Sequence, residues 1–308
     1  MYVMVRRLAW IAVLLGGCNA RLGELNHSMS GDAGSAAQQD ATVGSDAPLD
    51  AQPDAPDGPW GTPAVIPGTA GAGINVDDPS MTQDGLDIIY AVTNAAAGTK
   101  SLFEIQRASL GSPWGTPVPR TELDIGTSEE SPRFSLDDKT IYYGVAGNIY
   151  TATRAAEGDA FGTPALVTAI NTGFYQKWLA VCDNGVAMVA RQATSTSDTD
   201  LYEGTLAAGA PNAATTLNST SNEISTFLSK DCLTVYFASN RSGTTQLYTS
   251  KRSAVGGAWS TPVNVATPFS ASDGADNEDP WASNDGHIFL LASERGGSTT
   301  KQLYISTR

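Results

Sequence analysis

Histidine, cysteine and basic residues are scarce in this chain of 308 residues. Its two histidines, His27 and His287, exclude most zinc sites and leave few candidates for a Ser-His-Asp triad. Three cysteines are too few for a disulfide-rich scaffold. The 18 Lys and Arg against 32 Asp and Glu give a net charge of −14. Because such a surface repels phosphate, nucleic acid is excluded as an expected partner.

The N-terminal segment has the pattern of an export signal. Arg6 and Arg7 precede an apolar run, residues 8–15, that is too short to span a bilayer as a stable helix. Leu-Gly-Gly then precedes Cys18, a segment that resembles the bacterial lipobox. The resemblance implies a signal peptide over residues 1–17 and an acylated Cys18. An ordinary secretory leader with a chance cysteine is the alternative.

Residues 18–58 are rich in Asp, Ala, Gly, Ser, Pro and Gln. Such a segment buries too little apolar area to offset its ordering entropy, so we predict a disordered tether. Its root-mean-square reach is about 35 Å. We expect a location in the cell envelope, with membrane contact through the N-terminal lipid only. An aspartate directly after the acylated cysteine often signals retention at the inner membrane. Because this position is Asn19, we expect the outer membrane.

Five copies of a repeat of about 50 residues occupy residues 59–308. Each copy has a hairpin signal, such as Asp-Gly between two β-rich runs, and a short run with an aliphatic and an aromatic residue, such as Leu247-Tyr248. The third marker is an aromatic residue followed by Gly or Ser, Thr and Pro. It begins at Trp60, Trp114, Phe161 and Trp259, with a degenerate copy ending at Pro211.

Four short strands per repeat, without helical periodicity, are typical of a propeller blade. We therefore predict an all-β fold, a five-bladed β-propeller of four-stranded antiparallel blades. Strands a and b flank the polar turn and strand c carries Leu-Tyr. Strand d carries the aromatic-x-x-Pro motif, because proline suits an edge strand. The N-terminal strand (about 60–66) is expected to pair with the C-terminal strand (about 303–308), which removes the open edges.

The repeat resembles the WD-repeat-like propeller motif of the TolB type. The similarity rests on Pro-x-x-Ser-x-Asp-Gly, then Ile-Tyr-Tyr or Val-Tyr-Phe, Ser-x-Arg, Leu-Tyr and a closing Arg. It covers nearly all of residues 59–308 and is poorest over residues 175–190. TolB has six blades, so its blade number and partners do not carry over. The resemblance implies an extracytoplasmic binding or scaffold module.

Acidic residues precede strand a in most copies, and blade symmetry would gather them at one rim of the central channel. Clustered carboxylates suit a hard cation such as calcium, or a basic ligand. Alternatively, each accepts hydrogen bonds from a neighbouring turn or pairs with an arginine of the repeat. No other cofactor is expected. These residues are Asp77, Asp78, Glu129, Glu130, Glu223, Glu278 and Asp279.

Trp178 and Trp281 lie near the predicted inner strands, where they would stack on a sugar or fill space between blades. Together with the acids they define one hypothesis, a carbohydrate-active enzyme, because glycosidases place two carboxyl groups across the sugar bond. No catalytic motif identifies a nucleophile or a base. We therefore favour a non-enzymatic binding or scaffold module, a monomer whose ligand is an envelope protein or a glycan.

Two further pairs of residues leave alternatives open. Cys182 and Cys232 fall in or beside the a–b turns of neighbouring copies. They would form a disulfide if their Cα atoms lie within about 7 Å, and otherwise they are free buried thiols. Arg241 and Arg295 of the Ser-x-Arg segments are either ligand contacts or bridges between blades.

Overall fold

The computed structural model describes residues 58–69, 73–172, 175–270 and 273–308. The signal peptide, the lipidation of Cys18 and nearly all of the tether predicted from the sequence lie outside these residues. The described chain is all β apart from two single 3-10 turns. It contains no helix long and apolar enough to cross a membrane.

The described strands form five antiparallel sheets of four strands each, so the five-bladed propeller is confirmed. The first four blades each use four consecutive strands, ordered a to d from the channel outward. The last blade consists of β18, β19, β20 and, at its outer edge, β1. The strands are β1 Ala64–Val65, β2 Val76–Met81, β3 Asp87–Asn94, β4 Thr99–Gln106, β5 Val118–Pro119, β6 Glu129–Phe134, β7 Thr140–Val145, β8 Asn148–Thr153, β9 Ala165–Leu166, β10 Gln176–Val181, β11 Val186–Gln192, β12 Thr199–Thr205, β13 Gly209–Ala213, β14 Glu223–Leu228, β15 Thr234–Ser242, β16 Thr244–Lys251, β17 Val263–Asn264, β18 Asn277–Ala282, β19 Ile288–Ser293 and β20 Gln302–Thr307, with 3-10 turns at Thr121–Leu123 and Asp183–Gly185.

The ring closes as the sequence predicts. Strand β1 pairs antiparallel with β20, with Ala64 opposite Ile305 and Val65 opposite Tyr304. The backbone N–H of Ile66 also donates to the carbonyl of Leu303 at 2.8 Å. The last blade is therefore built from both ends of the folded region, and its outer edge is covered.

Four of the five a–b turns share one hydrogen-bonding pattern, in which an Asp accepts from the hydroxyl two residues before it and from the backbone N–H two residues after it. The third blade instead has the 3-10 turn at Asp183–Gly185. In the first blade, Thr82 donates to Asp84 at 2.7 Å, and Leu86 N–H donates to the same oxygen at 2.9 Å. This pattern explains the recurring Ser/Thr-x-Asp of the repeat. His287 lies in the exposed turn of the last blade, beside Asp285.

The aromatic-x-x-Pro motif lies just before strand d, which corrects the sequence prediction. Strands β1, β5, β9 and β17 each begin directly after the motif proline. The second motif residue, such as Gly61 or Gly115, donates one backbone hydrogen bond of 2.7 to 2.9 Å to the end of strand c. Because proline has no N–H, the ladder is interrupted there and resumes after it.

Four arginines at the ends of strands c hold this motif in place. Each guanidinium lies over the aromatic ring of its own blade, 4.2 to 5.1 Å from the ring centroid. Each Nε also donates to a carbonyl of its own a–b turn, at 2.8 to 3.1 Å. The pairs are Arg107–Trp114, Arg154–Phe161, Arg252–Trp259 and Arg308–Trp60.

The hydrophobic core is divided into five clusters, each centred on the space between two neighbouring blades. Between the third and fourth blades it is supplemented by a disulfide that joins Cys182 and Cys232, whose Cα atoms are 5.5 Å apart. Because apolar side chains pack between the blades, the axis of the ring is left to polar side chains.

Candidate site at the mouth of the central channel

The five innermost strands share a β-bulge at their third residue. These residues have φ values of 51° to 58°, a region that non-glycine residues rarely adopt. The bulge interrupts the alternation of side chains along a strand. As a result, the consecutive residues Asp77 and Asp78 both contact the same amine, that of Lys100. The bulge residues are Asp78, Ser131, Trp178, Ser225 and Asp279.

Three lysines pair with carboxylates at one end of the channel, which we call the channel mouth. Lys100 Nζ lies 2.7 Å from Asp77 and 3.4 Å from Asp78. Lys177 contacts Glu130 at 2.8 Å. Lys301 contacts Glu278. The lysine side chains are 18% to 22% exposed and their carboxylate partners 3% to 10% exposed, so the ammonium groups are the outer layer.

The five bulge residues form a hydrogen-bonded network around the axis. Asp78 accepts from Trp178 Nε1 at 2.6 Å and from the backbone N–H of Ser131 at 3.1 Å. Asp279 accepts from Ser225 Oγ at 2.6 Å and from the backbone N–H of Asp78 at 3.0 Å. This network joins all five blades, because one residue comes from each innermost strand.

Arg133 occupies the channel axis. Its side chain extends from the second blade to the first and the fourth, where it donates to the carbonyl of Pro79 at 2.7 Å and to that of Thr226 at 3.4 Å. Arg133 is only 3% exposed. This buried guanidinium and the Trp178 indole fill space on the axis that an open channel would leave to a ligand.

The buried carboxyl groups differ in their expected ionisation. Burial and the nearby carboxylates of Asp78 and Glu278 raise the pKa of Asp279 well above its usual value. Burial would also raise the pKa of Asp78. However, Lys100 and hydrogen bonds from Asp279 and Trp178 hold it below the usual value. Burial and the adjacent Asp78 raise the pKa of Asp77 to about 7. The pKa values of Asp78 and Asp279 are therefore shifted in opposite directions, although both carboxyl groups are buried.

A small cavity of about 100 Å³ lies at the mouth beside the third blade. Lys177 Nζ lies 4.9 Å from the ring centroid of Tyr175 and 5.3 Å from that of Trp178. The Tyr175 hydroxyl donates to Glu130 at 3.2 Å. The Tyr175 ring packs against Gly147, where any Cβ would collide with it. The cavity is lined by Tyr175, Lys177, Trp178, Ala190, Gln192 and Thr199.

The acidic residues identified from the sequence separate into two sets. All of them lie within the innermost strands, whereas the sequence analysis places them just before strand a. Asp77, Asp78, Glu130, Glu278 and Asp279 belong to the channel network or its mouth.

Glu129 and Glu223, the first residues of their strands, hold loops instead. Glu129 accepts from the backbone N–H of Gly126 at 2.8 Å. Glu223 accepts from Ser219 Oγ at 2.6 Å and from Arg241 at 2.9 Å. Their side chains therefore have protein partners away from the bulge network.

The other candidate residues have partners within the protein. Trp281 is 2% exposed and packs against Phe227, with ring centroids 6.1 Å apart. Arg241 and Arg295 each donate to the loop that precedes their own innermost strand, at the carbonyls of Leu217 and Phe269. Of the two tryptophans, only Trp178 reaches the mouth.

The sequence analysis did not predict the basic side chains of the site. Lys100, Lys177, Lys301 and Arg133 were not recognised as partners of the acids. One signal was available: Lys100 and Lys301 each stand two residues before the Leu-aromatic pair, in the only two copies with a lysine there. Within the described ranges, no three His, Cys, Asp or Glu side chains are grouped to hold a metal ion.

Comparison with known proteins relates the chain to other propellers. No protein-family model matches the chain, and no curated protein is a detectable relative. The chain is similar to the α-L-arabinofuranosidase PaAbf62A from Podospora anserina, with 14% identity, 80% of this chain and 96% of that chain covered, and a TM-score of 0.53. It is also similar to an endo-arabinase from Bacteroides thetaiotaomicron VPI-5482, with 14% identity, 79% of this chain and 96% of that chain covered, and a TM-score of 0.50. A third similar structure is a TolB-type protein from Agrobacterium tumefaciens, with 18% identity, 71% of this chain and 69% of that chain covered, and a TM-score of 0.47. At these identities the likeness concerns the fold alone.

Proposed function

We propose that the chain is an exported lipoprotein of the cell envelope and that its propeller is a non-enzymatic binding or scaffold module. The lipobox-like segment before Cys18 supports export and a lipid anchor, and the polar composition of residues 18–58 supports a tether. The resemblance of the repeat to the TolB type supports a binding role outside the cytoplasm. We expect a monomer on the outer membrane, with a protein or a glycan as ligand.

The observation that carries the proposal is that the channel carboxylates are already engaged. Glycosidases need two carboxyl groups about 5 to 10 Å apart with the sugar bond between them. Here Asp279 accepts directly from the backbone of Asp78, and both residues are buried. Lysines pair with the acids at the mouth. A ligand would therefore bind on the lysine layer rather than inside the channel.

The binding proposal is tested by capture from solubilised envelope with the full chain, tagged and in detergent. Lys177→Gln combined with Glu130→Gln neutralises one mouth pair without leaving an unpaired buried carboxylate. We expect one or a few envelope components to be retained by the wild type and by the control Lys251→Gln, which changes an exposed lysine on β16. The double variant should lose them. Equal retention by all three proteins would place the binding surface elsewhere.

The lipid anchor is tested separately. Replacing Cys18 with serine removes the thiol that would be acylated. We expect the wild type in the membrane fraction and Cys18→Ser in the soluble fraction. Membrane association that is unchanged in the variant would contradict the anchor.

A carbohydrate-active enzyme is the second candidate, favoured by one observation. Asp78 and Asp279 have pKa values shifted in opposite directions, as in pairs that act as general acid and base. The similar structures include an arabinofuranosidase and an endo-arabinase, so arabinan and arabinoxylan oligosaccharides are suitable probes. Hydrolysis that is abolished by Asp78→Asn and Asp279→Asn would establish the enzyme. No sugar release by the wild type would leave the binding function.

A further inference from the structure

The channel mouth has more hydrogen-bond donors than the protein uses. An ammonium group carries three N–H donors. Lys177 gives one to Glu130 at 2.8 Å, and the other Glu130 oxygen accepts from Tyr175 at 3.2 Å. Both oxygens of Glu130 are therefore engaged, while at least one N–H of Lys177 remains for a ligand. That ligand must supply an acceptor.

The distribution of charge at the mouth indicates an anionic acceptor. Three of the six lysines in a chain of net charge −14 are gathered at this mouth. They are more exposed than the carboxylates that they contact. Because the ammonium groups form the outer layer, an approaching ligand meets positive charge first, which favours a carboxylate over a cation.

The cavity beside Lys177 favours a sugar over a peptide. Its aromatic side chains, Tyr175 and Trp178, provide apolar surface for the carbon-bound hydrogens of a sugar ring, and Gln192 and Thr199 provide polar groups for hydroxyls. At about 100 Å³ it is smaller than the pockets of roughly 300 Å³ or more that enclose whole small molecules. It suits the terminal residue of a chain rather than an oligomer.

Resting on the proposed binding function, we propose that the mouth recognises the carboxylate of an acidic sugar at the end of a glycan. Lys177 pairs with the uronate carboxylate, and the sugar ring lies against Tyr175 and Trp178. The ligand adds an anion to an ammonium that Glu130 already holds in position. A neutral sugar offers the remaining N–H of Lys177 only a hydroxyl oxygen, which is a weaker acceptor than a carboxylate.

The test is titration calorimetry of the full chain in detergent with short oligomers of galacturonate, glucuronate and mannuronate. Each oligomer is compared with its carboxyl-reduced counterpart, which keeps the ring and the linkage. At least one acidic oligomer is expected to bind tenfold or more tightly than its reduced form, with an affinity that falls as salt is added. Binding of none of the acidic oligomers, or equal binding of the reduced forms, would overturn the proposal.

Variants then locate the site. Lys177→Gln with Glu130→Gln is expected to weaken binding of the acidic oligomer at least tenfold and to leave that of the reduced form unchanged. Lys251→Gln should bind as the wild type does. A glutamate oligopeptide of equal charge that binds as tightly as the uronate would overturn the sugar assignment. If capture still retains an envelope protein while all uronates fail, only this inference falls, and the binding function stands.

Discussion

Replacing Trp60 with alanine tests how much the closing strand stabilises the ring. The indole lies under the Arg308 guanidinium, 4.3 Å from the ring centroid. It also meets the rings of Phe269 and Phe289 edge-on, at 5.4 and 5.9 Å. Truncation of a buried tryptophan costs about 3 to 5 kcal/mol, so a partly buried one costs about 2 kcal/mol. The three ring contacts add about 0.5 kcal/mol each, for a total of about 3.5 kcal/mol.

The free energy of unfolding is measured in urea by circular dichroism, and the melting temperature by calorimetry. For a domain of this size we expect Trp60→Ala to lower the melting temperature by about 7 to 14 °C. Trp114→Ala is the matched control, because it removes the equivalent arginine contact, at 4.4 Å, inside a blade of consecutive strands. With no edge-on phenylalanine pair, it should cost about 2.5 kcal/mol. If Trp60→Ala stays within about 1 kcal/mol of the wild type while Trp114→Ala does not, closure by the N-terminal strand is not what holds the ring.

Three other predictions follow from single features. A non-reducing peptide map should find Cys182 linked to Cys232, and two free thiols would contradict the disulfide. Reduction should lower the free energy of unfolding by about 2 to 4 kcal/mol. Burial raises the pKa of Asp138 from 3.8 to about 7, because the folded protein favours the protonated side chain. The stabilisation from this group is therefore complete below about pH 4 and is lost as pH rises through about 7. Asp138→Asn should therefore flatten the decline in urea midpoint between pH 5 and pH 8, and an unchanged slope would contradict the assignment. A Cβ at Gly204 would collide with a backbone carbonyl of β13, so Gly204→Ala should cost about 1 to 3 kcal/mol, whereas Gly111→Ala, with open space around it, should be near neutral.

The blades were predictable because their signals are local. In every blade except the third, a Ser/Thr-x-Asp turn fixes the a–b hairpin within a few residues, and the aromatic-x-x-Pro motif packs under an arginine of the same blade. Counting five copies that begin in strand d and end in strand c was enough to predict the pairing of β1 with β20. The position of strand d was wrong by a few residues, because the proline prevents the ladder from starting inside the motif.

The channel depended on tertiary structure. The repeat showed where acidic residues recur, but not which residues they contact. Asp78 meets Asp279, 201 residues away, and Arg133 reaches Thr226, 93 residues away. Two physical effects hide these contacts from the sequence. A bulge in each innermost strand breaks the two-residue alternation from which side-chain direction is inferred, and ring closure brings distant repeats to one axis. Local motifs specify each blade, whereas closure of the ring brings together the charged side chains of distant repeats.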